Sequence, residues 1–279
     1  MSNLFSESEI ITTDNFLSFC VDNKICYAKS DYFYTWGYEN FLKTSSSPFF
    51  WRNEYHPKKL EKFCVLGHSD FSITDKEMLY FDKVFCVNKN NINPNCFPIP
   101  LGICNFTDEH EKMPIYGDKK IMFEVMKETY EKTVLAYINF DDNTNHSIRK
   151  KLRIDFSNKD WTLSKTPDNS IFGRKNYLID IKKSKFVFCP IGNGVDTHRL
   201  WETLYLGSIP IVINHPTHEL LFDLPILFIE SWEIVNENLL RETFEHFQNR
   251  KFNLQKLKQS YWNNLIKNEF EKYQEVGRV

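Results

Sequence analysis

Apolar positions along the chain fall into short unbroken runs separated by stretches with helical spacing. Phe63 to Leu66, Lys83 to Val87 and the segment ending at Ile99-Pro100-Leu101-Gly102 are each four to six residues long and bounded by turn formers, the pattern of buried strands. Thr74 to Phe81 between the first two predicts a helical turn or two, and the Asn- and Pro-rich stretch Asn88 to Pro98 predicts a loop. A polar segment, Asp108 to Lys132, follows, with helical spacing over Ile121 to Thr133. Then a second alternation begins. Strands are expected at Thr133 to Ile138, Lys185 to Cys189, Ile209 to Ile213 and Pro225 to Ile229. Helices are expected from His146 to Ile154, Asn176 to Lys183 and Thr197 to Leu206, with a helical tail from Ser231 to Gln274. Runs apolar at every position, alternating with helices, indicate parallel sheets covered on both faces. Two such α/β units are expected, residues 1–120 and 121–279, facing across a cleft.

Composition narrows the function classes. The formal net charge is −2, from 35 Lys and Arg against 37 Asp and Glu, so the chain lacks the basic excess that nucleic acid demands. Short basic runs such as Arg149-Lys150-Lys151 and Lys182-Lys183 read as solvated helix faces. The seven cysteines are odd in number and show no CxxC spacing, so no zinc site is expected, and free thiols in a cytoplasmic protein are. No signal peptide is expected from the N-terminal stretch, and no run approaches the roughly 18 apolar residues of a transmembrane segment. No G-x-x-x-x-G-K-[ST] loop occurs, which counts against a nucleotide-dependent kinase.

The most informative stretch runs from Phe186 to Ile213 and reads as strand, glycine loop, helix, tight turn, strand. Gly192 and Gly194, on either side of Asn193, allow a sharp turn and close approach to a ligand. Asp196 or Thr197 would cap the helix, leaving N–H groups and the positive helix end for an anion such as a diphosphate. Arg199 would sit in the first helical turn with a fork suited to phosphate oxygens. Glu202, three residues on, could accept from vicinal ribose hydroxyls, although the same spacing also suits a plain i,i+3 surface pair. Leu200, Leu204 and Tyr205 would face the sheet, Trp201 the core, and Gly207 would end the helix.

This stretch resembles the signature of exostosin-like glycosyltransferases, through Cys189-Pro190, Gly192 to Gly194, Arg199, Glu202 and Gly207-Ser208-Ile209-Pro210-Ile211. The resemblance implies two facing Rossmann-like domains, the GT-B arrangement. It also implies transfer of a sugar, hexosyl or glycuronosyl, from a nucleotide-sugar without a bound metal. A UDP-sugar is the expected donor, no cofactor is expected, and a glycan or glycolipid hydroxyl is the expected acceptor. By the same likeness the position of Glu202 holds the donor ribose and that of Arg199 the diphosphate.

Other candidates follow from position. Asn139, Thr144 and Arg149 lie after the first strand of the second unit, where donor phosphates are approached in such enzymes. Asp196 and His198 flank Arg199 and could line the donor sugar. His215, His218 and Glu219 follow the strand ending at Ile213. His68 and Asp70 follow the strand Phe63 to Leu66, and either could take the acceptor proton in an inverting transfer, Asp70 ahead of His68. Their alternative roles are a structural hydrogen bond for His68 and a turn cap for Asp70. Trp36, Trp51 and the aromatics of Tyr32 to Tyr38 suit burial better than a sugar platform. A non-catalytic nucleotide-sugar-binding subunit of a glycan-synthesis complex would share the donor features, and substitution of His68 and Asp70 separates the two readings.

Overall fold

A computed structural model describes residues 5–29, 62–67, 70, 72–104 and 119–276. Among these described residues nine strands form two wholly parallel sheets. The first holds β1 (Tyr27–Lys29), β2 (Phe63–Gly67), β3 (Lys83–Cys86) and β4 (Cys96–Pro98) in that order. The second holds β5 (Val134–Ile138), β6 (Thr162–Ser164), β7 (Ser184–Phe188), β8 (Ile209–Ile213) and β9 (Leu227–Ile229), in the order β6-β5-β7-β8-β9. Helices α1 (Thr13–Asp22), α2 (Asp75–Met78), α3 (Lys119–Lys127), α4 (His146–Phe156), α5 (Ile171–Lys183), α6 (His198–Tyr205), α7 (Glu237–Gln248) and α8 (Gln259–Val276) cover them.

Successive strand residues serve opposite faces, and both faces are dry, which is why the strands read as continuous apolar runs. In the second sheet Ala136, Ile138, Phe186, Phe188 and Ile211 pack with Leu152 and Phe156 of α4 and Leu240 of α7. The opposite face, through Tyr137, Val187 and Val212, joins Leu178 and Ile181 of α5 and Leu200 and Leu204 of α6. That core continues without a break into Phe63, Val65 and Phe85 of the first sheet. The far face of the first sheet is smaller, with Cys64, Leu66, Val84 and Cys86 against Met78 of α2.

The helical tail expected to finish the second unit lies against the first. Phe270 and Tyr273 of α8 stand 5.0 and 5.5 Å from the Phe63 ring, Lys83 pairs with Glu269, and the Tyr273 hydroxyl donates to Asp82. Tyr205 ties the same region together, accepting from the Ile11 N–H at 2.9 Å and donating to the Leu257 carbonyl at 2.8 Å.

Several local expectations shift. The strand expected in the segment ending at Gly102 stops earlier, at Cys96–Pro98, within the expected loop. β4 is an edge strand, where a proline's missing N–H is tolerated. Helix α5 starts five residues early because the Ser170 hydroxyl accepts from the Gly173 N–H and caps it. α1, β1 and β6 were not expected at all; the two strands are three residues each, too short to show a period. The turn after α6 is as expected: Gly207 has φ +74°, and the N–H groups of Gly207 and Ser208 bond to Leu204 and Thr203, a Schellman end. All seven cysteines are buried. No described helix is long and apolar enough to cross a membrane.

Candidate functional site

The order β6-β5-β7-β8-β9 reverses direction between β5 and β7, and a parallel sheet opens a crevice at such a point, outside its carboxyl ends. The loop after β5, residues 139–145, and the loop after β7, residues 189–197, border it. These are the two segments singled out from the sequence.

The two loops are joined directly. Arg149, buried on α4, donates from Nε to the Ile191 carbonyl at 3.1 Å and from an outer nitrogen to the Asp141 carbonyl at 3.1 Å. Asn145 donates to the Gly192 carbonyl at 3.3 Å. A Cβ on Gly192 would stand 2.9 Å from the Arg149 guanidinium and 3.6 Å from the Thr144 methyl. Thus Thr144, Arg149 and Gly192 meet. Asn139 is buried and gives its amide to the Tyr137 hydroxyl at 2.7 Å. Asn193 is exposed at the loop tip.

Phe140 organises the crevice. Its ring is fully buried, with the guanidinium carbons of Arg149, Arg153 and Arg199 at 5.7, 5.3 and 5.6 Å from its centroid. Arg153 is neutralised by Asp142, at 2.8 and 2.9 Å. Arg199 is different: among the described residues its guanidinium makes no hydrogen bond or ion pair, and Nε is shut off from solvent. Burial opposes its charge, but Tyr177, Cys189, Glu202 and Tyr137 around it outweigh that, and its pKa stays above the usual value.

Three expected ligand contacts are taken up inside the protein. Glu202 is only 4% exposed. One oxygen pairs with Arg174 at 2.5 Å and the other accepts from the Tyr177 hydroxyl at 2.9 Å, so the carboxylate is neither a surface partner of Arg199 nor open to a ribose in this structure. The N–H groups at the start of α6, expected to face an anion, are engaged as well. Val195 and Asp196 both donate to Asn88 Oδ1 at 3.0 Å, and Thr197 donates to the Asp196 carboxylate at 2.8 Å. Thr197 is the N-cap position but makes no side-chain capping bond. Asp196 and His198 face the first sheet rather than the crevice. Asp196 accepts from the Leu101 N–H at 2.8 Å and from the Trp201 indole, and His198 Nδ1–H donates to the Gly102 carbonyl at 2.8 Å. Arg174, Tyr177, Phe140 and Asn88 were missed from sequence. Only the Arg-x-x-Tyr spacing of the first two, one helical face, offered a signal.

Asp70 is exposed, and its Cα lies 3.3 Å from where a Cβ of Gly194 would sit, so it borders the glycine loop. His68, Trp36, Trp51 and Tyr32 to Tyr38 lie outside the described residues. His215 and His218 lie beyond β8, in a turn docked on the first sheet through Thr217 to the Lys89 carbonyl at 2.9 Å and Glu219 to Lys89 at 2.6 Å. Among the described residues no three His, Cys, Asp or Glu side chains gather as metal ligands.

A model of the RXYLT1 C-terminal domain matches residues 121–273, more than half of the chain. The chain belongs to this family. The RXYLT1 C-terminal domain family is glycosyltransferase-like. No curated protein matches the chain. The matched segment begins in α3 and ends in α8, so the family region contains the whole second sheet, the crevice and the helix that returns to the first sheet.

Two buried groups in this region titrate in opposite senses. His218 is 1% exposed; burial, then the neighbouring His215, push its pKa down to about 4, against a hydrogen bond with the Ile213 backbone. Its folded pKa lies below its unfolded value, so its contribution to stability is lost as pH falls from about 6.5 to about 4. Burial pushes Asp196 up to about 6, against the hydrogen bonds it accepts, so its contribution is lost as pH rises from about 4 to about 6. Each amounts to roughly 3 kcal/mol at 1.36 kcal/mol per pKa unit, and the two nearly cancel in the native protein. His218→Leu should therefore gain melting temperature as pH falls from 6 to 4, and Asp196→Asn should lose it. Parallel profiles for both variants would refute the assignment.

Proposed function

We propose that this protein is an exostosin-like glycosyltransferase with two Rossmann-like units in the GT-B manner. It moves a sugar from a nucleoside-diphosphate donor, in the first instance a UDP-sugar, to a hydroxyl of a glycan or glycolipid acceptor. Residues 1–120 would form the acceptor side and 121–279 the donor side. The observation that carries the reading is Arg199, whose guanidinium makes no hydrogen bond or ion pair among the described residues, in the switch-point crevice of a glycosyltransferase-like family domain. Holding such a charge away from water is costly, and a donor diphosphate would offset that cost.

In the proposed step the acceptor oxygen attacks the anomeric carbon as its bond to the diphosphate oxygen breaks, with inversion. The acceptor proton passes to the Asp70 carboxylate. Negative charge grows on the leaving diphosphate, where Arg199 and Arg149 stand fixed before the reaction begins, so little reorganisation is needed. Glu202 acts one layer behind, holding Arg174 and Tyr177 beside Arg199.

The test is a thermal-shift screen against UDP, GDP, CMP and their sugar conjugates, with and without EDTA. Stabilisation by one nucleoside diphosphate, unchanged by EDTA, is expected, at about 2.7 kcal/mol when ligand stands at 100 times Kd. Folded protein that responds to none of them overturns the reading.

A further inference from the structure

The loop after β7 is gripped from both sides. On one flank Arg149 and Asn145 hold the carbonyls of Ile191 and Gly192. On the other, the first sheet holds the residues that lead into α6. Asn88, 1% exposed just past β3, accepts the N–H groups of both Val195 and Asp196 at 3.0 Å. Leu101 and Gly102, past β4, engage Asp196 and His198. Gly194 lies so close that a Cβ there would stand 2.7 Å from Asn88 Nδ2 and 3.3 Å from the Asp70 Cα.

A side-chain oxygen that takes two consecutive backbone N–H groups does what a bound anion or a helix cap does for a loop: it fixes where the chain turns. Here that oxygen comes from the other sheet. The arrangement binds three things into one geometry: the loop that contacts Arg149, the start of the helix carrying Arg199, and the approach of Asp70. The neighbouring Lys89 adds a second tie, through Glu219 and Thr217.

We propose that Asn88 is a positioning residue. It sets the glycine loop of the second sheet from the first, so that the anion-binding arginines and Asp70 come into register together. This rests on the donor-site reading given above. Asn88 touches neither donor nor acceptor; it acts through Val195, Asp196 and Gly194.

The experiment compares the wild-type chain with Asn88→Ala, which removes the acceptor oxygen, and Asn88→Asp, which keeps one. Backbone hydrogen exchange is followed over residues 189–200, and UDP affinity by calorimetry. In Asn88→Ala, exchange at Val195 and Asp196 should accelerate at least tenfold and UDP affinity should fall three- to tenfold. Asn88→Asp should restore both to within threefold of wild type. A merely structural residue would speed exchange across the whole second sheet without singling out this loop, and that result overturns the proposal. So does tighter UDP binding by Asn88→Ala, which would make the Asn88 amide a plug occupying an anion's place. Wild type that fails to bind UDP or GDP defeats the donor-site reading instead, and the exchange arm still decides whether Asn88 fixes the loop.

Discussion

Glu202→Ala is expected to destabilise the folded protein by about 3–5 kcal/mol, the usual cost of removing one partner from a buried ion pair. Both partners are nearly inaccessible, at 4% and 5% of their side-chain surfaces, so solvent screening gives little relief. Arg174 would be left with a buried charge and no carboxylate, and its Nε already lacks a partner. The Tyr177 hydroxyl would lose its acceptor too. Urea unfolding of the variant measures the loss. A ribose role predicts something else: a folded, stable variant whose UDP affinity drops by about 1–3 kcal/mol, the worth of hydrogen bonds to a charged acceptor. The double variant Glu202→Leu, Arg174→Met separates the two further. If the pair is structural, replacing both charges by apolar groups should recover most of the stability, since desolvating the native pair offsets much of its attraction. A single variant losing under about 1 kcal/mol of stability would return Glu202 to the ligand.

What the sequence made legible was whatever depends on neighbours along the chain. The strands β2, β3, β5, β7 and β8 were readable because parallel strands buried on both faces leave uninterrupted apolar runs. Helix α6 and its Gly207 end were readable because a left-handed turn after a helix almost demands glycine. The loops carrying Thr144 and Gly192 were singled out from the sequence, but their meeting, with Arg149, is seen only in the strand order, where the loops after β5 and β7 border the reversal between them.

Partners distant in sequence were not legible. Glu202 finds Arg174 twenty-eight positions away and Asp196 finds Leu101 ninety-five away, and no period in the chain encodes either distance. The glycines illustrate the same limit. Gly194 was assigned to ligand approach; what its missing Cβ makes room for in the structure is Asn88 and Asp70, next to the other sheet. Likewise α8 carries an ordinary amphipathic pattern, and nothing in that pattern says which sheet its aromatic face will meet. Local chemistry announces that a residue is special; topology decides what it is special for.

Arg199 gives the prediction that bears most directly on function, because stability and binding should move apart. In the free protein its guanidinium is partly buried beside Phe140 and has no hydrogen-bonding partner among the described residues. Burial opposes this charge and the Glu202 carboxylate nearby favours it, so the two largely offset and Arg199→Met should melt close to wild type. Nucleotide binding should fall. Losing charge-assisted bonds to a diphosphate should cost about 2–3 kcal/mol, or roughly 30- to 150-fold in UDP affinity. The thermal shift produced by UDP would then nearly vanish in a protein that is otherwise no less stable. Arg199→Lys should rescue little of it, because a single ammonium cannot reproduce the planar two-point contact or the stacking on Phe140. Calorimetric titration of both variants beside their melting curves reads both quantities at once. A destabilised Arg199→Met that still binds UDP normally would mean that the charge is satisfied by the fold, and that the crevice between β5 and β7 is not where the donor sits.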